Sequence, residues 1–495
     1  MWVACHAESN RPLFLDFRRS VEWKMANGLG MALIPYRGIG DYNSGANRTN
    51  GGRPDPESPP RFTWNIRMPL SASAWLTMIR PALCTILMAV GFQSTSLAAD
   101  AWPEFRGPRG DGVVPSLAPS IPTKWTPEEN ITWRTELPGE GWSSPVIGGG
   151  KIYLSAAMPS DDGSDDRVLC LLILDQATGS LEKTVKLMKQ ESSTTPKIHN
   201  KNSHASPTPL LSENRIYIHF GYQGTACTDR QGNVQWVNRD LSFKPTHGNG
   251  GSPVLADGKL IFTCDGGDSP SVAALNTKDG SLAWRTPRPV DSARKFSFAT
   301  PTVIDVDNQI QIIAPGSDCV LALDPASGKI IWQVAYDGFS VIPKPVYADG
   351  RLFVISGFMR STLMAIQPTG KGDITDTHVD WVAKKAIPKT PSPIATDGLV
   401  FVVSDDGIVS CFEQTTGELV WKERLGGGFS SSPTLIGDHL YVTSEEGKTT
   451  VMKAGRKFEL LAENDLEERS LASLAVADGA IYLRTAKALY RIENR

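Results

Sequence analysis

The chain has 495 residues, enough for two or three ordinary domains or for one large all-β unit. Its formal charge of −3, from 50 Lys and Arg against 53 Asp and Glu, is spread without a long basic run, which removes the electrostatic basis for a nucleic-acid partner. A protein of the cell envelope or a small anionic ligand stays open as partner.

Residues 1–77, with "NSGANRTNGGRPDPESPPR", are rich in Gly, Pro, Asn and Arg and show no sustained periodicity, so they read as a disordered extension or an over-long gene start. From Met78, "MIRPALCTILMAVGFQSTSLAAD" sets Arg80 before an apolar stretch from Pro81 to Phe92 and ends on Ser96-Leu97-Ala98, the pattern of a secretory signal peptide over residues 78–98. The apolar stretch is shorter than the roughly 20 residues a spanning helix needs. Cys84 lies inside it rather than just before the mature chain, which disfavours a lipid anchor. The expectation is a soluble, exported monomer, periplasmic or extracellular, with no transmembrane segment in the mature chain and a lead-in segment over residues 99–130.

Residues 131–495 repeat. "SSPVIGGGKIYLSAA", "ASPTPLLSENRIYIHF", "GSPVLADGKLIFTC", "ATPTVIDVDNQIQIIA", "PKPVYADGRLFVIS", "PSPIATDGLVFVVS", "SSPTLIGDHLYVTS" and "ASLAVADGAIYLRT" align as eight copies of one hairpin. Most copies add a second hairpin, such as "VLALDPASGKIIWQV". There an acidic or amide residue opens the turn, a Gly takes its left-handed position, and Trp236, Trp284, Trp332 or Trp421 follows four residues later, with Lys183 in that place in the first copy. Four strands in each of eight units predict an eight-bladed, all-β propeller. The last copy supplies three strands, and "ENITWRTEL" with Trp133 is an orphan that can complete it, so the N-terminal strand is expected to close the final blade.

Most first strands begin with Pro, which suits an inner edge strand because it lacks an N–H to pair. The residues aligned before the strand, at the mouth of the channel, are Ser144, Ser206, Ser252, Thr300, Lys344, Ser392, Ser432 and Ser473. Small hydroxyls suit a crowded wedge; the long cation of Lys344 stands apart and calls for a carboxylate from another blade or an anionic ligand. The mature part carries five scattered cysteines, Cys170, Cys227, Cys264, Cys319 and Cys411, each in an apolar strand-like run, which read as buried free thiols.

The hairpin Asp324-Pro325-Ala326-Ser327-Gly328-Lys329-Ile330-Ile331-Trp332 and its looser versions resemble the tryptophan-docking repeats of pyrroloquinoline quinone (PQQ) dehydrogenases and, equally, of the outer-membrane assembly lipoprotein BamB. The whole mature chain, with "AWPEFRGPRGDGV" and "GNGGSPV", is similar to exported PQQ-like repeat proteins of planctomycete-type bacteria. On the dehydrogenase branch the resemblance implies PQQ, calcium and oxidation of an alcohol or sugar; on the BamB-like branch it implies binding and scaffolding. The chain has no neighbouring cysteine pair and no CxxCH haem motif. A non-catalytic binding module is therefore expected, with the PQQ- and calcium-dependent oxidoreductase as the alternative.

Loops entering the first strand and linking the second to the third share one face of a propeller. There the sequence offers Lys344, Trp142, His204, His247, Asn249, Asp265, Arg360, Lys389 and Arg469 as ligand-binding candidates, together with Asp268, Asp318, Asp405 and Glu445. No residue is assigned a catalytic or metal-binding role. The run Asp161-Asp162-Gly163-Ser164-Asp165-Asp166 lacks the spacing of a calcium loop, and no GxxxxGK[ST], HExxH or GxSxG occurs.

Overall fold

A computed structural model describes residues 101–114, 121–289 and 293–495. The extension and signal peptide expected over residues 1–98 lie outside the described residues. Eight antiparallel sheets follow one another along the chain. In the first, strand A (Val146–Gly148) turns back into B (Lys151–Pro159), then C (Arg167–Asp175) and D (Leu181–Gln190). Each later blade repeats this order, and strand A of the eighth blade (Ala475–Ala477) touches strand A of the first, closing the ring. Strands B and C are covered by neighbouring blades, so Leu399–Val403 is buried throughout, whereas the outer strand Leu419–Arg424 is largely exposed.

The closing strand is where the repeat count requires it. Ile131–Glu136 pairs with Ala488–Ile492, aligning Ile131 with Ile492 and Trp133 with Arg491. Blades then dock through tryptophan. The indole N–H of Trp133, Trp236, Trp284 and Trp421 donates to a turn carbonyl of the next blade: Gln176 (3.3 Å), Thr277 (3.1 Å), Pro325 (3.0 Å) and Gly455 (2.8 Å).

Two features depart from the sequence reading. In blade 5 an insertion separates strand C (Leu363–Ile366) from D (Val379–Ala383), which concealed a further docking residue, Trp381, whose N–H reaches Gln414 O at 2.9 Å. Within the insertion, Gly372–Asp373 adds a fifth, parallel strand to blade 4 beside Trp332, and Trp332 donates instead to Gln311 Oε1. In blade 2 strand A is Leu210–Ser212, so Thr208, two residues beyond the expected Ser206, precedes its proline.

The docking geometry fixes the turn glycine. Gly328 has φ +70° and a β-carbon there would lie 2.5 Å from the Trp284 ring, whereas Gly350, at φ +76°, has open space. Gly350→Ala therefore costs about 1 kcal/mol for the left-handed backbone alone, and Gly328→Ala adds a clash worth a further 1–3 kcal/mol. Urea denaturation of the two variants checks this; equal losses would show that the indole does not seat on the glycine.

Candidate functional site

The residues before the A-strand prolines form a collar. Backbone N–H groups donate to the hydroxyl of the next blade from Ser144 to Thr208 (3.0 Å), Thr208 to Ser252 (2.9 Å) and Ser252 to Thr300 (2.9 Å). The series resumes from Lys344 to Ser392 (3.0 Å), Ser392 to Ser432 (3.0 Å) and Ser432 to Ser473 (2.8 Å). It breaks after Thr300 because Lys344 has no hydroxyl to accept. There Thr302 Oγ1 donates to Pro345 O across the same blade junction at 2.7 Å.

The bore inside the collar is filled by the chain's own lead-in. Trp102 exchanges backbone hydrogen bonds with Ile147 of blade 1, and Leu211 N of blade 2 donates to Pro103 O. Buried Arg106 reaches Pro393 O of blade 6 at 2.7 Å, and Val113–Val114 pairs in parallel with Leu435 and Ile436 of blade 7. Glycines allow the tight course of "FRGPRGDG": Gly110, at φ +65°, lies where a β-carbon would meet Lys344 Nζ.

Lys344 thus has an intramolecular partner. Its Nζ lies 3.4 Å from Glu104 Oε1 and 3.3 Å from Phe105 O. Burial pushes the ammonium down and the Glu104 carboxyl up from their ordinary values, against the attraction of the pair. The lysine side chain is 2% exposed and the glutamate 21%, so loss of the glutamate strands a buried cation. Glu104→Gln should cost about 3 kcal/mol, and adding Lys344→Met should recover most of it, since it removes the buried cation left without its carboxylate. Thermal unfolding of both variants tests the pair; a double variant no more stable than Glu104→Gln would contradict it.

Above the lead-in lies a cavity of about 470 Å³ floored by Phe105 and ringed by Ser144, Thr208, Ser252, Thr300, Ser392, Ser432 and Ser473. Its wall on blades 2 to 5 is a continuous aromatic arc. The ring centroids of His199 and His247 are 5.9 Å apart, His247 and Phe296 5.4 Å, Phe296 and Phe339 5.8 Å, and Phe339 and Phe358 5.7 Å, all edge to face. Lys389 Nζ sits 5.1 Å over Phe358, and Arg469 sits 5.5 Å over Trp142 on the opposite wall. Lys201 pairs with Glu445 at 2.6 Å, and Asp405 accepts from Lys389 N and Thr390 Oγ1.

Of the residues singled out in the sequence, Trp142, His247, Lys389 and Asp405 line this cavity. Arg469 reaches it through Trp142 and Glu445 through Lys201. The others do not line it. Asp265 and Arg288 form a buried pair at 2.8 Å whose guanidinium also holds Ala314 O and Pro315 O of the next blade. Asn249 Nδ2 caps Phe220 O, Asp268 accepts from Lys244 N and Asp318 from Gly338 N. His204 is half-buried 4.0 Å from Glu140, with its pKa lowered by burial, and Arg360 is exposed in a turn with Phe358.

Sequence reasoning passed over His199, Lys201, Phe105, Phe296, Phe339 and Phe358. A usable signal existed in "KFSFATP" and "DGFSVIPKP", where an aromatic stands shortly before the collar position. The structural role of Asp265 is checkable: Asp265→Asn should lower stability by about 3 kcal/mol by leaving Arg288 buried without its carboxylate. Calorimetry showing an unchanged melting temperature would refute it.

Fold and repeat define a PQQ-like β-propeller. Residues 170–314, 268–386, 316–410 and 360–492 match the family described as outer membrane protein assembly factor BamB. The chain belongs to this family. It is 24% identical over 332 residues to the outer membrane protein assembly factor BamB of Yersinia pestis, a match covering 59% of this chain and 79% of that protein. Among solved structures, BamB from Moraxella catarrhalis is similar over 74% of this chain and 98% of its own (15% identity, TM-score 0.51). The quinohemoprotein alcohol dehydrogenase from Comamonas testosteroni is similar over 81% of this chain and 82% of its own (13% identity, TM-score 0.55). At these identities the structural likenesses show the fold.

Proposed function

We propose that the protein is an exported, non-catalytic binding and scaffolding module of the cell envelope whose funnel engages an envelope protein or a small anionic ligand. The observation that carries the reading is the blind, aromatic-walled cavity of about 470 Å³ on a rigid ring. Trp142, His247, Lys389 and Arg469 are the proposed contact residues from the sequence reading, joined by Phe296, Phe339 and Phe358. The family match to an outer membrane protein assembly factor supports an envelope setting. No helix among the described residues is long and apolar enough to cross a membrane. Export itself rests on the signal-peptide pattern of residues 78–98.

The second reading, a PQQ- and calcium-dependent oxidoreductase acting on an alcohol or sugar, is favoured by an aromatic arc able to take a flat ring. The donor set fits calcium poorly. Asp405 and Glu445 already accept from Lys389 N, Thr390, Lys201 and Ser430, and among the described residues no three His, Cys, Asp or Glu side chains converge. The five described cysteines are free and buried.

Two measurements test the proposal. A photo-crosslinker at Phe339 should capture an envelope component, and Phe358→Asp with Trp142→Ala should reduce the yield at least about tenfold without lowering the melting temperature by more than a few degrees. The mature protein mixed with PQQ, Ca²⁺ and a panel of alcohols and sugars should reduce no dye. Saturable turnover would overturn the non-catalytic reading, and unchanged capture by the double variant would overturn the funnel's role.

A further inference from the structure

The linker between blades 1 and 2 runs from residue 191 to 209, whereas that between blades 6 and 7 runs only from 425 to 433. Its extra length leaves the blades. Residues 191–194, 196, 197 and 199–201 are exposed, yet His199, Lys201 and Asn202 also line the cavity, so this stretch stands over it. Asn202 N closes a turn on His199 O at 2.9 Å, and Lys201 N donates to His199 Nδ1 at 3.2 Å, which makes a compact tip.

The tip is held from two sides of the mouth. On one side it sits on the linker between blades 2 and 3. His199 N and Asn202 Nδ2 both donate to His247 O, at 3.1 and 3.0 Å, and Ile198 pairs with His247. The seat fits it closely: a β-carbon on Gly248, at φ +102°, would lie 2.6 Å from Asn202 Nδ2 and 3.0 Å from Ile198 Cγ2. On the other side stand Glu445, in the B–C turn of blade 7, and Arg469, in the linker from blade 7 to blade 8. Lys201 Nζ lies 2.6 Å from Glu445 Oε1, and Arg469 Nη2 donates to Asn200 O at 3.3 Å. In a ring of eight, blade 7 is almost opposite the linker between blades 2 and 3, so residues 198–202 span the mouth.

The two attachments differ in kind. Backbone and amide bonds over a glycine seat define one position and are insensitive to salt. The far attachment centres on one ion pair whose lysine side chain is 41% exposed, and such pairs are weak and screened by salt. One fitted end and one weak, charged end are the parts of a hinged gate. We infer that residues 198–202 form a strap that pivots at His247 and Gly248, is latched by Lys201 on Glu445, and controls the entry of bulky molecules to the cavity. This rests on the funnel being the binding site proposed above and adds the regulation of that site.

The test reads access without any ligand. Ser473→Cys in the mature chain places a thiol at the base of the cavity, while the five described native cysteines are buried. Its reaction is timed with a small reagent, methyl methanethiosulfonate, and with a bulky one, fluorescein maleimide. Adding Lys201→Glu sets two acids face to face and should speed the bulky reagent at least about fivefold while changing the small one less than about twofold. Adding Glu445→Lys as well restores the pair with reversed polarity and should return the bulky rate to within about twofold of the start. Raising salt from about 10 mM to about 1 M shrinks the screening length from about 30 Å to about 3 Å. That change should speed the bulky reagent about two- to fivefold with Lys201 in place and less than about twofold in Lys201→Gln. An unchanged bulky rate in Lys201→Glu, equal acceleration of both reagents, no recovery in the swapped pair, or a salt effect that Lys201→Gln leaves intact overturns the gate. Envelope capture through the crosslinker at Phe339 does not depend on these rates, so the gate can fail while the funnel's role stands, and the reverse.

Discussion

A ring of eight wedge-shaped sheets brings eight strands to one narrow bore, and seven of them are immediately preceded by a proline that follows Ser144, Thr208, Ser252, Thr300, Lys344, Ser392 or Ser432. Proline offers no N–H, so the amide before it is the first donor at the mouth, and it lies beyond the ladder of its own blade. A buried amide without an acceptor costs about 1–3 kcal/mol. Six of these amides find their acceptor on the next blade, at 2.8–3.0 Å, in the hydroxyl of the equivalent residue. One constraint therefore explains why the position is serine or threonine, why the blades keep register at their narrow ends, and why polar hydrogens face the cavity.

The single break in the series has its own logic. Lys344 still donates its amide to Ser392, but it offers the previous blade no hydroxyl and sends its side chain to Glu104 on the lead-in. That segment touches strand A of blades 1, 2, 5, 6 and 7 and raises Phe105 to the floor of the cavity. Lead-in and collar together turn a bore into a cup. The buried pair is weak evidence for stability, because burial works against both charges. It ties the lead-in to blade 5, alongside the contacts of Trp102, Pro103, Arg106 and Val113–Val114 with blades 1, 2, 6 and 7.

The architecture was legible because it repeats. Eight alternations of a Gly, Asp or Asn turn and an apolar strand run, four tryptophans at constant spacing and an orphan strand with Trp133 leave little choice of fold, and the closing pair Trp133 and Arg491 follows from counting strands. Trp381 escaped because the insertion over residues 367–378 breaks the spacing. Thr208 escaped because "SPTP" offers two prolines and only pairing decides between them. The site was half legible. Trp142, His247, Lys389 and Asp405 could be named from loop positions, but the aromatic arc joins four interblade linkers and the B–C turn of blade 5, and only its Phe296 and Phe339 members left a trace, an aromatic shortly before the collar position. The partners of Asp265 and Asn249, Arg288 and Phe220 O, became visible only in the structure.

The collar is open to direct measurement by residue-resolved amide hydrogen exchange. The amides of Ser144, Thr208, Ser252, Lys344, Ser392 and Ser432 should exchange slowly, close to the rate set by global unfolding, while Thr300, whose next-blade neighbour is lysine, should exchange markedly faster despite equal burial. Equal protection at Thr300, or fast exchange at the six, would show that the blades are not joined through these hydroxyls and would remove the basis of the cup.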